Sequence, residues 1–407
     1  VTPRPSIFAV ADDLTGAAEI AAVGYRHGLK ALVTTGALRP GAPADLVVAD
    51  TDSRLAAPEP AAEAVRRAVL SLSGRAGALF YKKVDSVLRG PVLAELEALA
   101  EALGRPRALL VPANPSLSRT IRDGRYLVGG VPLHETAFAH DPHHPARSPR
   151  VLDLLGPPRR LPVHLLAPGT ALPSAGVIVG EASSPDDVVR WARAVDAVTL
   201  PAGGAEFFSA WLGTLGYPSN APTAALELQS PLLVISGTTV PESRAMFARL
   251  LRAGLPVIPL NELIIRPFPR DAVAARRWAE EVAMALATRG VAITHAPSWP
   301  MTVPDAVAAI RGALADLATR LQRHDAFTHL VIEGGATAAA IVRALGWDEL
   351  AVVAEWAPGV ATLSPTRAPR CRLTLKPGSY PWPDGWGERL AALTKRPTAN
   401  LGRRPTP

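Results

Sequence analysis

The strongest constraint on this chain is a recurring pattern. Short apolar or β-branched runs break off in polar or glycine clusters, and a longer stretch with helical spacing follows each one. The runs are Ile7–Ala11, Ala31–Thr35, Leu46–Ala49, Leu79–Val84, Ala108–Val111, Gly176–Val179, Leu232–Ile235, Val257–Leu260, Val291–Thr294 and His329–Ile332. Between them lie helical patterns at Ala17–His27, Ala61–Ser73, Val92–Leu103, Pro185–Ala194, Glu242–Ala253, Asp271–Thr288, Pro304–Gln322 and Ala336–Leu345. A strand with one wet face alternates apolar and polar residues, whereas these runs do not alternate. They predict parallel sheets covered by helices on both faces, an α/β protein.

The 407 residues are enough for two or three domains. A break at Tyr217–Thr223 predicts an α/β domain over 1–222 and a second over 223–395, with mainly parallel sheets, a loose tail over 396–407, and an active-site cleft between the domains. Asp141–Ala171, rich in proline, histidine and arginine, reads as a long surface excursion. No internal repeat is visible. No run reaches the ~18–20 apolar residues of a membrane span, and five apolar residues before Asp12 are too few for a signal-peptide core. A soluble, cytoplasmic protein is the expectation. One cysteine, Cys371, excludes internal disulfides and thiolate zinc clusters. The net charge of 43 − 36 = +7 invites a nucleic-acid reading. However, only five of the cations are lysines, no basic run exceeds three residues, and aromatics make up 5%. A basic enzyme handling small anions fits better, with no nucleic-acid or membrane partner.

Several strand ends carry chemistry. In FAVADDLTGAAEIA a buried strand delivers Asp12 and Asp13 to the start of a helix. Ligands of open α/β sheets bind at that position, beyond the carboxyl ends of the strands. Two carboxylates there can accept hydrogen bonds from substrate hydroxyls or take a proton, although Asp13 or Thr15 could simply cap the helix. In LFYKKVDSVLRGP, Lys83, Asp85, Ser86 and Arg89 fall within seven positions. The cations suit a carboxylate or phosphate, and Asp85 could deprotonate an alcohol. An internal salt-bridge cluster would use the same residues. VADTDSR, with Asp50, Asp52 and Arg54, reads equally as a third site segment or as a surface turn. The stretch 112–142 is too polar and glycine-rich for core and suits a loop lining a substrate. Its His134, Glu135 and Asp141 match no tight metal spacing, so no metal ligands are assigned.

In the second half, LLVISGTTVPESR and HLVIEGGATAAAIVRALG each run strand, glycine turn, helix, and LTLKPGSYPW adds Lys376 and Gly378 in a loop. Glycines admit close approach of backbone to a ligand, and a helix N-terminus favours phosphate. Two such turns and a lysine loop make a nucleotide site plausible, although neither GxxxxGK[ST] nor GxGxxG is present.

Taken in order, ADDLTGA, KKVDSVLRG, R-T-x-x-x-G with PLHET-x-FAxDP, SGT, GGAT and LKPGS resemble the four-carbon acid sugar kinases from residue 8 to about 390. The resemblance implies an N-terminal acid-sugar-binding domain and a C-terminal nucleotide-binding domain. It also implies ATP-dependent phosphorylation of the terminal hydroxyl of threonate, erythronate or 3-oxo-tetronate. By position, Asp12, Arg54 and Lys83–Ser86 would line the sugar pocket, with Arg89 beside it. Ser236, Gly237, Gly334, Gly335, Ala336, Thr337, Lys376 and Gly378 would surround ATP. Two positions depart from the family pattern. Ala336 stands where the glycine turn carries an acidic residue, removing a carboxylate that could order Mg²⁺ waters or a ribose hydroxyl. Thr238 completes an SGS-type turn, followed by Arg244 where glutamine is common.

Phosphoryl transfer needs positioning and charge neutralisation. The expected arrangement is a sugar acid held by arginine or lysine, a proton passed to Asp13 or Asp85, and Mg²⁺ bridging the phosphates of ATP. The rival readings are a sugar-acid isomerase or aldolase, and a sugar-acid sensor that has lost ATP use. A symmetric homodimer is the default assembly.

Overall fold

In the computed structural model, the structure describes residues 6–35, 43–70, 77–141, 143–219, 227–265, 272–297 and 306–394. The tail expected over 396–407 lies outside the described residues, as do Ser71–Ser73, Asp271, Pro304 and part of the break at Tyr217–Thr223. The chain divides into two compact units, 1–223 and 224–407. No described helix is long and apolar enough to cross a membrane.

The first unit contains strands β1 (Ile7–Ala11), β2 (Ala31–Thr34), β3 (Leu46–Asp50), β4 (Leu79–Lys83), β5 (Arg107–Val111), β6 (Arg119–Arg122), β7 (Arg125–Val128), β8 (Val131–Pro132), β9 (Val163–Leu166), β10 (Gly176–Gly180) and β11 (Thr199–Gly203). Its α-helices are α1 (Leu14–Arg26), α2 (Pro58–Leu70), α3 (Val92–Ala102), α4 (Val151–Leu155), α5 (Pro185–Arg193) and α6 (Ala205–Thr214). The main strands pair in the order β2-β3-β1-β4-β11-β5-β10-β9, every pair parallel. Strands β6, β7 and β8 form a small antiparallel sheet. The excursion read over Asp141–Ala171 contains α4 and edge strand β9, whose four residues are only half-buried, so their apolar pattern is weak.

Local chemistry explains the elements. All five residues of β1 are buried, as a strand covered on both faces requires. Helix α1 starts at Leu14 because Asp13 adopts an extended conformation and accepts the Gly16 N–H at 2.9 Å, an N-cap. Gly24 lets this helix settle on the sheet, since a Cβ there would lie 2.3 Å from Leu46 Cδ2. The two-residue period of β4 sends neighbouring side chains to opposite faces. Tyr81 packs on Phe207, Phe208 and Trp211 of α6, while Phe80 meets Phe8 on the other face. Lys82 and Lys83 are therefore separated, towards α3 and α1 respectively.

The second unit contains β12 (Leu232–Ser236), β13 (Val291–His295), β14 (His329–Glu333), β15 (Glu349–Ala357), β16 (Val360–Pro365) and β17 (Arg372–Lys376). Its helices are α7 (Pro241–Arg252), α8 (Glu262–Ile265), α9 (Ala272–Arg289), α10 (Ala306–Arg323), α11 (Gly335–Ala344) and α12 (Trp386–Thr394). Strands β13-β12-β14-β17 are parallel, and β16 runs antiparallel to both β17 and β15. Val257–Leu260 is not a strand, contrary to expectation. It touches β13 through one bridge, Val257 to Ile293, and through amide bonds from Ile258 and Leu260. Core residues Leu232, Val234, Phe247, Leu250, Ile293, Val331 and Leu390 pack together on the sheet.

Each sheet grows to both sides of its first strand. From β1 the chain builds β2 and β3 on one side and then places β4 on the other. From β12 it builds β13 on one side and β14 on the other. These are the crevices where the carboxyl ends of strands lie open to a ligand.

Gly203 ends β11 at φ +156°, and a Cβ there would lie 2.1 Å from the Val111 carbonyl oxygen. Gly203→Ala is expected to destabilise the protein by about 2 kcal/mol or more, since backbone must move to relieve the clash. Urea unfolding of the variant checks this.

Candidate active site

In the first unit, the ends of β1, β3 and β4 bring five predicted residues into one ionic network. The chain leaving β3 stays bonded to the end of β1. The amides of Thr51, Ser53 and Arg54 donate to the carbonyls of Ala11 (3.0 Å) and Asp12 (2.9 and 3.1 Å). This places Arg54 over the aspartate pair. Its Nε and Nη2 donate to Asp12 at 2.7 and 2.9 Å, and Nη2 also donates to Asp13 at 2.7 Å. Nη1 lies 3.8 Å from Asp85 Oδ1, beyond hydrogen-bond reach, and holds no other partner among the described residues.

Asp85 follows β4 and accepts Arg89 in a two-pronged contact at 2.9 and 2.8 Å. The turn between them is tight. Leu88 sits at φ +64°, an uncommon conformation for a bulky side chain, and Gly90, at φ +93°, comes close to the Arg54 carbonyl. Arg89 Nη1 donates to Asp141 at 2.9 Å, and Asp141 also accepts the amides of His143 and His144. His144 Nε2 meets the Arg54 carbonyl at 3.0 Å. Phe138 lies under the guanidinium groups of both Arg89 and Arg119. Ser86 accepts from Arg119 through Oγ and from the Tyr126 hydroxyl through its carbonyl. The polar stretch 112–141 thus folds onto the Asp85–Arg89 turn. His134 pairs at 3.6 Å with its neighbour Glu135, and no described group of acidic, His and Cys residues could hold a metal.

Burial works against charge at these carboxyls, but the arginines outweigh it. Asp12 stays below its ordinary pKa because of Arg54, and Asp85 stays well below because of Arg89 and Arg54. Asp50 has no arginine partner among the described residues, and burial pushes it up to about 8.

The two lysines of KKVDS serve two faces. Lys82 Nζ pairs with Glu95 at 2.8 Å, and the other Glu95 oxygen holds Ser53 Oγ at 2.5 Å. Lys83 Nζ reaches Glu19 at 3.2 Å and the Val84 carbonyl at 2.9 Å. Sequence reasoning missed both glutamates, although each is an acid inside an otherwise apolar helical stretch. It also passed over Arg119 and Tyr126.

In the second unit, Ser236, Gly237, Gly334 and Lys376 gather around Glu333, the last residue of β14. Its carboxylate is fully buried and accepts Ser236 Oγ, Ser243 Oγ and Lys376 Nζ, each at 2.6 Å. Lys376 Nζ also donates to the Pro377 carbonyl at 3.0 Å and lies over the Trp382 ring. Burial pushes this ammonium down against the raising pull of Glu333. Amides tie the same ends together, Gly237 N–H to Glu333 and Gly334 N–H to Lys376, both at 3.0 Å. Glycine is required at 237, because a Cβ would lie 1.8 Å from Thr337 Oγ1. Gly335, Ala336 and Thr337 form the first turn of α11, which has no acidic residue and no side-chain cap. Gly378 approaches Thr238.

Comparison with known proteins agrees with this layout. Residues 7–200 match a family model described as a sugar-binding N-terminal domain, and residues 233–380 match a nucleotide-binding C-terminal domain. The chain is 30% identical to a D-threonate kinase of Bordetella bronchiseptica, over 92% of this chain and 94% of that one. It is 28% identical to a 3-oxo-tetronate kinase of Cupriavidus necator, over 96% and 98%. Haemophilus influenzae protein HI1011 shares the fold, with a TM-score of 0.71 at 22% identity over 95% and 99% of the two chains. The chain therefore belongs to the four-carbon acid sugar kinase family, phosphotransferases that act on an alcohol group.

Removing one partner of a buried pair leaves the other charge uncompensated. Lys376→Met is expected to destabilise the second unit by about 3 kcal/mol. Adding Glu333→Gln should recover part of that loss, and urea unfolding of the two single variants and the double variant measures the coupling.

Proposed function

We propose that this protein transfers the γ-phosphoryl group of ATP to the terminal hydroxyl of a four-carbon acid sugar. The observation that carries this reading is the open Nη1 edge of Arg54. The rest of that guanidinium is fixed by Asp12 and Asp13 at the end of β1, from which the first sheet grows to both sides. A guanidinium so fixed can bind a carboxylate in one orientation, and its own aspartates maintain its charge. Asp12, Lys83 and Ser86 would hold hydroxyls of the sugar, and Arg89, locked by Asp85 and Asp141, would add positive potential.

The second unit suits a triphosphate. The N-terminus of α11 offers amide groups that no side chain caps, a ready anion site. Gly237, Gly334 and Gly378 let the turns pack closely beside it. Ser236 and Lys376 are held by Glu333, so they would act by fixing the glycine turns rather than by touching phosphate. Mg²⁺ bound with the nucleotide supplies charge neutralisation on the phosphate oxygens. Asp13 and Asp85 are the candidate proton acceptors named by the sequence. Asp85, held well below the ordinary carboxylate range by Arg89 and Arg54, is a weak base.

A screen of four-carbon sugar acids with ATP and Mg²⁺, read by ADP release, tests the reading. Sugar-acid binding with no ADP release from any of them would replace it with a sensor. In the active enzyme, Arg54→Met is expected to raise KM for the sugar acid by about 100-fold, the loss of one charge-assisted contact. ATP affinity by calorimetry should stay within about threefold.

A further inference from the structure

The carboxyl groups at the strand ends of the first unit are not equivalent. Asp12 and Asp13 hold Arg54, and Asp85 holds Arg89. Asp50, the last residue of β3, sits opposite Ala11 in the strand register, one position before the Asp12–Asp13 pair. Its Oδ1 accepts the Asp52 amide at 2.9 Å, and its other oxygen has no partner among the described residues. The residue is half-buried at the carboxyl end of its strand, where water has only partial access.

We propose that Asp50 is the catalytic base, and that its unpartnered oxygen takes the proton of the attacking hydroxyl. The proposal rests on the kinase reading above. In the step, the sugar O–H bond breaks as its oxygen bonds to the γ-phosphorus. The bond from that phosphorus to the bridging oxygen breaks and ADP leaves. The proton moves to Asp50 Oδ2, giving a neutral carboxyl and a phosphate ester.

The surroundings suit this role. The charged groups facing Asp50 are Asp12 and Asp13 from the end of β1 and Asp52 from its own loop; the described end of β2 on the other side is Thr34–Thr35, uncharged. Burial and, less strongly, these three carboxylates raise its proton affinity to about 8, against the lowering effect of the Asp52 amide. A base with that affinity accepts an alcohol proton better than the arginine-bound Asp85. The same shift reduces stability. The folded pKa exceeds the unfolded value of 3.8, so the native state binds the extra proton between those values. Stability present below pH 4 is lost as pH rises through 8.

The test uses wild type, Asp50→Asn and Asp50→Glu. In Asp50→Asn, kcat should fall at least ~100-fold with both KM values within about threefold, and the rising limb of kcat near pH 8 should vanish. Asp50→Glu should restore part of the rate. Asp50→Asn should also be more stable than wild type at pH 8.5, with the advantage shrinking as pH falls and gone below about pH 4. A wild-type kinase whose Asp50→Asn variant keeps near-normal kcat and the same pH limb overturns the proposal. If wild type phosphorylates no sugar acid, the kinase reading fails instead. Carboxyl ¹³C NMR titration then judges Asp50 alone. Titration near 8 that shifts on adding threonate supports a proton acceptor at the sugar site, and an ordinary carboxylate value overturns it.

Discussion

The organising constraint in this protein is the convergence of carboxylates on Arg54. A guanidinium placed near the base of a crevice loses much of its hydration, and only close anions offset that loss. Here the anions come from the ends of adjacent parallel strands, so the sheet register itself delivers them. Asp12 and Asp13 end β1, and Arg54 arrives because its loop continues the hydrogen-bonding pattern of β3 along the carbonyls of Ala11 and Asp12. The orientation of Arg54 is therefore a property of the backbone. A side chain fixed in this way loses little freedom when it takes up a ligand.

Beneath this layer, two further ion pairs hold the platform. Lys82–Glu95 anchors α3 and Ser53 on one face, and Lys83–Glu19 anchors α1 on the other. An apolar pair of similar volume would be at least as stable. What the ionic versions add is direction, because a lysine ammonium bonded to a carboxylate and a carbonyl has one position. The second unit repeats the device with Glu333, whose three donors come from the end of β12, the start of α7 and the end of β17.

Much of this was legible in the sequence where strands are buried on both faces. Unbroken runs such as IFAVA and LLVIS predict parallel strands, and the residues after them predict where ligands bind. Asp12, Asp13, Arg54, Asp85 and Arg89 could be named as a group because each lies within six residues of such an end. Their pairing could not be read, since it depends on which strands are neighbours. Strands β15 to β17 escaped notice because half-buried positions and polar residues such as Glu355 and Thr374 interrupt the apolar pattern. Val257–Leu260 misled for the opposite reason. It is an apolar segment buried in an irregular connection, touching β13 without joining the sheet as a strand. Glu333 shows the limit of motif reasoning: a carboxylate before two glycines looks like part of a ligand loop, yet it is fully buried.

The two units therefore treat charge differently. The first pairs its ionised side chains with one another and, among the described residues, leaves single edges without a hydrogen-bond partner, such as Arg54 Nη1 and one oxygen of the Asp50 carboxyl group. The second presents backbone amides, with the charges beneath them neutralised by Glu333 and Lys376. Ala336 fits this division. A carboxylate in the first turn of α11 would oppose the partial positive charge of the helix end, and alanine leaves that field intact for an anionic ligand. The cost is the loss of one possible acceptor for hydroxyls or metal-bound water. Backbone geometry is tight here as well, since the glycine at 237 admits no replacement without moving Thr337.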